Sequence, residues 1–319
     1  MGPEHADDFR RLWRLMASSE SRVLVLLALT ANAIISVLKF IAAFVSGSTA
    51  MLAEGFHSVA DTGNQLFLLR GSVTSQRGPS VRFSFGRGKE TYFWAFMVAV
   101  FLFVGGGVVA ITKGLDRLQH PHHEDTGLVF NLIVLGVAAF FEIFIAFRPA
   151  LKEFNRRRGT RKVWRTIRET KDPTLLVVLF EDSVAVLGIL VAAGGLLLAE
   201  YTGDPMWDGV ASLVIGVLLC LTAWILAIEV KGLLVGESAT RQVRSSIRAA
   251  ALSIPDVETV ERLLTMHLGP DEILVNMDLR VEFGKSAQDL EEMTARIEGE
   301  ITRLVPQATR VFIEYGVEL

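Results

Sequence analysis

One cysteine, Cys220, stands in the 319 residues of this chain, so neither an internal disulfide nor a thiolate-rich metal site is available. Charge is scarce as well: Asp, Glu, Lys and Arg make up 21% of the residues against 51% hydrophobic, and the mean hydropathy is +0.41. Such a balance excludes an ordinary soluble domain and reads as a membrane protein. The net charge of −3 gives no reason to expect nucleic acid as a partner. No HExxH pairing and no nucleophile motif is found, which weighs against an enzyme. Asp7, Asp8, Arg10, Arg11 and Arg14 make the N-terminal segment too charged for a cleaved signal peptide.

Apolar sequence is what the chain has in quantity. Six stretches, at 23–46, 49–70, 91–115, 127–147, 174–200 and 209–229, are long enough for a hydrocarbon core that takes about 20 helical residues to cross. Basic residues set the expected orientation, because loops rich in Lys and Arg stay cytoplasmic. The segment after the second span holds Arg70, Arg77, Arg82, Arg87 and Lys89. The one after the fourth holds Arg148, Lys152, Arg156, Arg157, Arg158, Arg161, Lys162, Arg165, Arg168 and Lys171. On the opposite side, "SGST" is neutral and "EYTGDPMWD" acidic. Both termini are therefore expected in the cytoplasm, and the second basic run suits topology and contact with anionic lipid. The histidines of "HPHHED" (His120, His122 and His123) are expected in a solvated outer turn.

Three regions follow: a cytoplasmic N-terminal segment over 1–22, a six-helix transmembrane domain over 23–229, and a cytoplasmic α+β domain over 230–319. The last reads as α-β-β-α-β. Residues 240–252 and 286–304 have helical spacing, the second opening at Ser286 as an N-cap. "ILVNMDLRVEF" alternates Ile273, Val275, Met277, Leu279, Val281 and Phe283 inward against Asn276, Asp278, Arg280 and Glu282, the period of a half-buried strand, and "RVFIEYGVEL" is a third strand. A two-layer unit of this kind, ferredoxin-like in order, suits regulation or dimerisation.

Ionisable groups at bilayer depth are costly unless paired or hydrated, so each is a functional candidate. "LAEGFHSVAD" carries Glu54, His57 and Asp61 on one helical face. The fifth span adds Glu181 and Asp182, the fourth adds Glu142, and Lys39 in the first is free to reach an interface or an acid. At roughly 1.5 Å per residue from the cytoplasmic ends, Asp61 lies about 13 Å deep, Asp182 about 12 Å, Glu142 about 9 Å and His57 about 20 Å. One imidazole with several carboxylates describes a site for a divalent first-row metal such as Zn²⁺, Mn²⁺ or Fe²⁺. The alternative is hydrogen bonding to Asn32, Thr62, Asn64 or Gln65 that merely holds helices together. Adjacent residues point about 100° apart, so Glu181 and Asp182 do not both face the site squarely.

In this order of spans, "GSTAMLAEGFHSVAD", "FSFGRGKE" and "DSVAVLG", with the terminal α-β-β-α-β unit, resemble the cation diffusion facilitator family of divalent-metal/proton antiporters. "TKDPTLLVVLFEDSVAVLG" is similar to the branch that includes the mitochondrial zinc exporter of animals. The resemblance implies a homodimer in an inner membrane, of a bacterium or an organelle, that exports Zn²⁺ (with Mn²⁺, Fe²⁺ or Co²⁺ also admitted) from the cytoplasm in exchange for protons by alternating access. It implies no cofactor. The metal ligands would be His57, Asp61 and Asp182, completed by Glu181 or Glu142. Three departures stand out. Where zinc-carrying members place a histidine four residues before the fifth-span acid, this chain has Val178; where the loop motif has a histidine, it has Arg87; and Asp278 and Glu314 stand where relatives place ligands in the terminal domain. An accessory site at the loop and a dinuclear centre in the terminal domain are therefore not expected. The vacant position at Val178 keeps open a non-transporting partner subunit of another transporter. A membrane metalloenzyme with Glu142 as general base is the remaining alternative.

Overall fold

The computed structural model describes residues 19–120, 127–160, 162, 163, 166 and 173–316. Helices Ser19–Ser46 (α1) and Thr49–Ser75 (α2) are joined by a two-residue turn at Gly47, whose φ of 63° favours glycine. The chain continues through Glu90–Gln119 (α3), a helix over 128–158 (α4), Pro173–Thr202 (α5) and Met206–Val235 (α6). These helices match the six expected stretches, the fourth beginning one residue later at Leu128, and run beyond most of their ends. Among the described residues four helices, at Glu90–Gln119, Leu128–Arg156, Leu176–Thr202 and Met206–Val235, are long and apolar enough to cross a membrane. Within those residues α1 contributes the apolar stretch Asn32–Ser46, and α2 breaks its apolar run with Glu54, His57, Asp61 and Arg70. Large apolar side chains such as Phe44, Leu190 and Trp224 point outward, as lipid-facing residues do.

The helices divide into chain segments that are two compact units: residues up to Val73 with Trp94–Glu229, and Thr74–Phe93 with the chain from Val230 onward. In the first, α1 lies against α4 and α4 against α5. The α3 and α6 backbones approach closely. A Cβ on Gly107 would stand 2.5 Å from Cys220 Sγ, and one on Gly114 would stand 2.9 Å from Leu213, while Ser212 Oγ donates to Ala110 O at 2.9 Å. Small residues allow this van der Waals association where lipid removes the hydrophobic driving force. π-helical turns widen α3 at Leu102–Val108 and α4 at Glu142–Phe147.

In the second unit, Arg241–Leu252 (α7), Val257–Gly269 (β1), Glu272–Val281 (β2), Ala287–Leu304 (α8) and Ala308–Gly316 (β3) give the expected α-β-β-α-β order. The sheet runs β1-β2-β3, with β1 and β2 antiparallel and β2 and β3 parallel. Ile273, Val275, Met277, Leu279 and Val281 pack inward with Ile247, Met293, Ile297 and Ile301. Phe283 does not join them. The strand ends at Val281, the chain turns at Gly284 with φ 88°, and the Phe283 ring is left 85% exposed. Ser286 caps α8 as expected, in a reciprocal box with Asp289. The 74–93 segment lies on this sheet, with Lys89 Nζ donating to Leu234 O at 3.4 Å and the Phe85 ring edge-on to Phe312.

Candidate metal site

Helix α2 carries the polar face, and its start is fixed from the other end of the chain. Asp208, in the first turn of α6 and 3% exposed, accepts from Ser48 Oγ at 2.5 Å, Thr49 N at 2.6 Å, Thr49 Oγ1 at 2.8 Å and Ala50 N at 3.3 Å. The first N–H groups of a helix have no partner within it and carry partial positive charge, so a buried carboxylate there is stabilised. Asp208 thereby sets the depth of α2.

One and a half turns on, Lys39 of α1 donates to Glu54 Oε2 at 2.9 Å and to Ser58 Oγ at 2.8 Å, all three side chains buried. Lys39 thus reaches an acid and not an interface. Gly188 of α5 is held against this pair so closely that a Cβ there would overlap Glu54 Oε1.

The next turns hold the candidates. His57 Nδ1 lies 3.2 Å from Asp61 Oδ1 without the alignment of a hydrogen bond. The carboxyl groups of Asp61 and Glu181 are within hydrogen-bonding reach of each other, and Asn64 Nδ2 donates to Glu181 Oε1. Helix α5 is therefore turned so that Glu181, not Asp182, meets Asp61. Asp182 is half-buried, with Glu181 and Glu142 as its charged neighbours. Glu142 opens the π turn of α4 and is buried within electrostatic reach of Lys39, Glu54, Asp61, Glu181 and Asp182. Asp61 is thus linked to His57 on its own helix and to Glu181 on α5. Among the described residues no three His, Cys, Asp or Glu side chains converge on one point in metal-holding geometry.

Buried polar atoms are as a rule satisfied, so exceptions call for a reason. Such exceptions occur in several parts of the described chain, and α2 and α5 hold one group of them: Glu54 Oε1, both ring nitrogens of His57, Asp61 Oδ1, Asn64 Oδ1 and Asp182 Oδ2 are buried and have no hydrogen-bond partner. All but one ring nitrogen of the neutral imidazole are acceptors. A concentration of unmatched acceptors suits a cation.

The family model for the cation efflux transmembrane domain matches residues 25–235, and that for the cytoplasmic domain of cation efflux proteins matches 239–315. The chain belongs to the cation diffusion facilitator family. Metal tolerance protein C4 of Arabidopsis thaliana is 31% identical to this family member over 226 residues, 69% of this chain and 48% of the relative. The human mitochondrial proton-coupled zinc antiporter SLC30A9 is 27% identical over 282 residues, 86% of this chain and 49% of the relative. Zinc transporter ZitB of Escherichia coli K12 is 25% identical over 232 residues, 72% of this chain and 68% of the relative. This family member spans about half the length of the first two relatives. The family consists of cation transporters, not enzymes.

Elsewhere the candidates are dispersed. His120 is exposed, 3.3 Å from Asp116, while His122 and His123 lie outside the described residues, as does most of the basic run over 161–172. Arg87 stacks on Phe83 at 4.3 Å and pairs with Glu90 at 3.5 Å. In the terminal domain His267 is packed and buried, Asp278 pairs with Arg262 at 2.8 Å, and Glu314 stands beside Asp278 on β3. Asp208 and Gly188 escaped the sequence analysis. The "WDG" before a long apolar run was the available signal for Asp208, and nothing local marks Gly188.

Proposed function

We propose that this protein exports a divalent transition-metal cation, Zn²⁺ first among them, from the cytoplasm in exchange for protons, with all six helices α1 to α6 crossing the membrane and both termini inside. The observation that carries the reading is the group of buried, unpartnered acceptors on α2 and α5 around Asp61. The ligands would be Asp61, with His57 and Glu181 each within reach of it, and Asp182 Oδ2 is a further oxygen on the same helix as Glu181. Glu142 and the Lys39–Glu54 pair tune the field around them.

Proton coupling follows from the same geometry. Metal ligands must be deprotonated to bind, so a dication that takes the Asp61 and Glu181 carboxylates competes with protons for the same oxygens. Metal arriving from one side releases the proton, and a proton arriving from the other releases the metal. Each pH unit of gradient supplies about 1.4 kcal/mol per proton. The relatives named as a zinc transporter and a proton-coupled zinc antiporter support this reading. The α-β-β-α-β domain serves dimerisation in the cytoplasm, and an inner membrane is the expected location.

Uptake into inside-out vesicles with a panel of divalent ions, with and without a pH gradient, tests the proposal. Accumulation of Zn²⁺ that collapses with the gradient is expected. Absence of any metal-selective flux would favour the non-transporting subunit instead.

A further inference from the structure

Asn64 is fully buried on α2, seven residues after His57 and three after Asp61, so the three side chains share one helical face. Its amide does two things at once. Nδ2 donates to Glu181 Oε1 across the α2–α5 contact, and Oδ1 is buried with no partner. If the amide were only a tie between helices, an apolar pair of similar shape would serve, without the desolvation cost of an unmatched carbonyl oxygen. The orphan oxygen shares its helical face with Asp61, whose Oδ1 is likewise buried and unmatched.

Glu181 needs such a tether. It is adjacent to Asp182, and a helix can aim only one of two neighbouring side chains at a given line. A glutamate also has three rotatable bonds, and a donor that fixes one carboxylate oxygen decides which way the other faces. The Asn64 amide does so, and leaves Glu181 in reach of Asp61.

We propose that Asn64 is a positioning and specificity-determining residue of the metal site: it holds Glu181 as the ligand that stands where Val178 supplies none, and so selects an oxygen-rich coordination. This rests on the function proposed above. With one imidazole among oxygens the site is harder than a two-imidazole site, and discriminates less between Zn²⁺ and Mn²⁺ or Co²⁺.

The experiment is equilibrium binding of Zn²⁺, Mn²⁺ and Co²⁺ to the purified full chain, comparing wild type with Asn64→Ala, Glu181→Gln and the double variant, and with Asp61→Asn alongside. Residues that orient a metal ligand change affinity by about 10- to 100-fold when lost. We expect Asn64→Ala to weaken binding by that factor and to alter the Zn²⁺:Mn²⁺ affinity ratio. The double variant should be no weaker than Glu181→Gln alone, since the two act through one carboxylate. Asn64→Ser, which keeps a donor, should recover part of the loss, and it replaces Asn64→Ala if that variant fails to accumulate. Unchanged affinity and ratio in folded Asn64→Ala or Asn64→Ser, with Asp61→Asn still defective, would overturn the role of Asn64 and leave the transport proposal standing. Absence of metal binding by the wild type would remove both.

Discussion

Lys39 Nζ and Glu54 Oε2 meet at 2.9 Å between α1 and α2, with side-chain exposures of 1% and 0%. An ion pair so deeply buried is only marginally stabilising against a well-packed apolar pair, yet removing one partner leaves a charge uncompensated, at about 3–5 kcal/mol. Lys39→Met should therefore lower the thermal stability of the purified protein far more than Lys39→Met with Glu54→Gln. Equal losses in the two proteins would show that the pair is not coupled.

Asp208 offers a second test, because it satisfies the start of α2 from a position far along the sequence. Asp208→Ala leaves the Thr49 N–H and the Ser48 hydroxyl without their acceptor and should cost at least about 2 kcal/mol. Asp208→Asn, which keeps an acceptor oxygen, should cost less. Melting in detergent reads both, and an unchanged midpoint for the alanine variant would contradict the clamp.

The α2 spacing shows how far a sequence carries such a site. His57 and Asp61 are four residues apart, and helical geometry alone places them together, as it places Glu54 on the same face. Likewise the alternation from Ile273 to Val281 gives β2 and its buried side. Phe283 broke the pattern because alternation does not say where a strand stops. The rotation of α5 was not legible either: Glu181 and Asp182 differ by about 100° of helix phase, and the contact that tells them apart comes from Asn64 on another helix. The clamp at Asp208 joins residues some 160 positions apart, and the closeness of Gly188 to Glu54 depends on packing that no local pattern encodes.

That rotation of α5 predicts an ordering among acids. Glu181→Gln should weaken Zn²⁺ binding by about 10-fold or more, whereas Glu142→Gln, which acts on the proposed ligands through its charge, should change it by less than about 10-fold. Titration of each variant with Zn²⁺ checks this. The reverse order would mean that α4 and not α5 completes the site.

In the terminal domain the Ser286 hydroxyl and backbone hold the Asp289 carboxyl below the ordinary aspartate range. A depressed value in the folded state contributes stability above the unfolded value of about 3.9, and the contribution disappears as pH falls through the folded value. Hydrogen exchange at the start of α8 should be faster in Asp289→Asn than in wild type at neutral pH, and the difference should vanish as the pH falls through the folded value. A pH-independent difference would assign the effect to something other than the carboxylate.

The most direct test of the central claim, that α2 and α5 hold one divalent cation at Asp61, is the stoichiometry of Zn²⁺ bound to the full chain in wild type and in Asp61→Asn. Asparagine keeps the shape, removes the charge and cannot share a proton with Glu181. The account predicts that the variant binds one Zn²⁺ fewer per chain than wild type and carries none across a vesicle membrane. Equal stoichiometry and equal flux in the two proteins would contradict it.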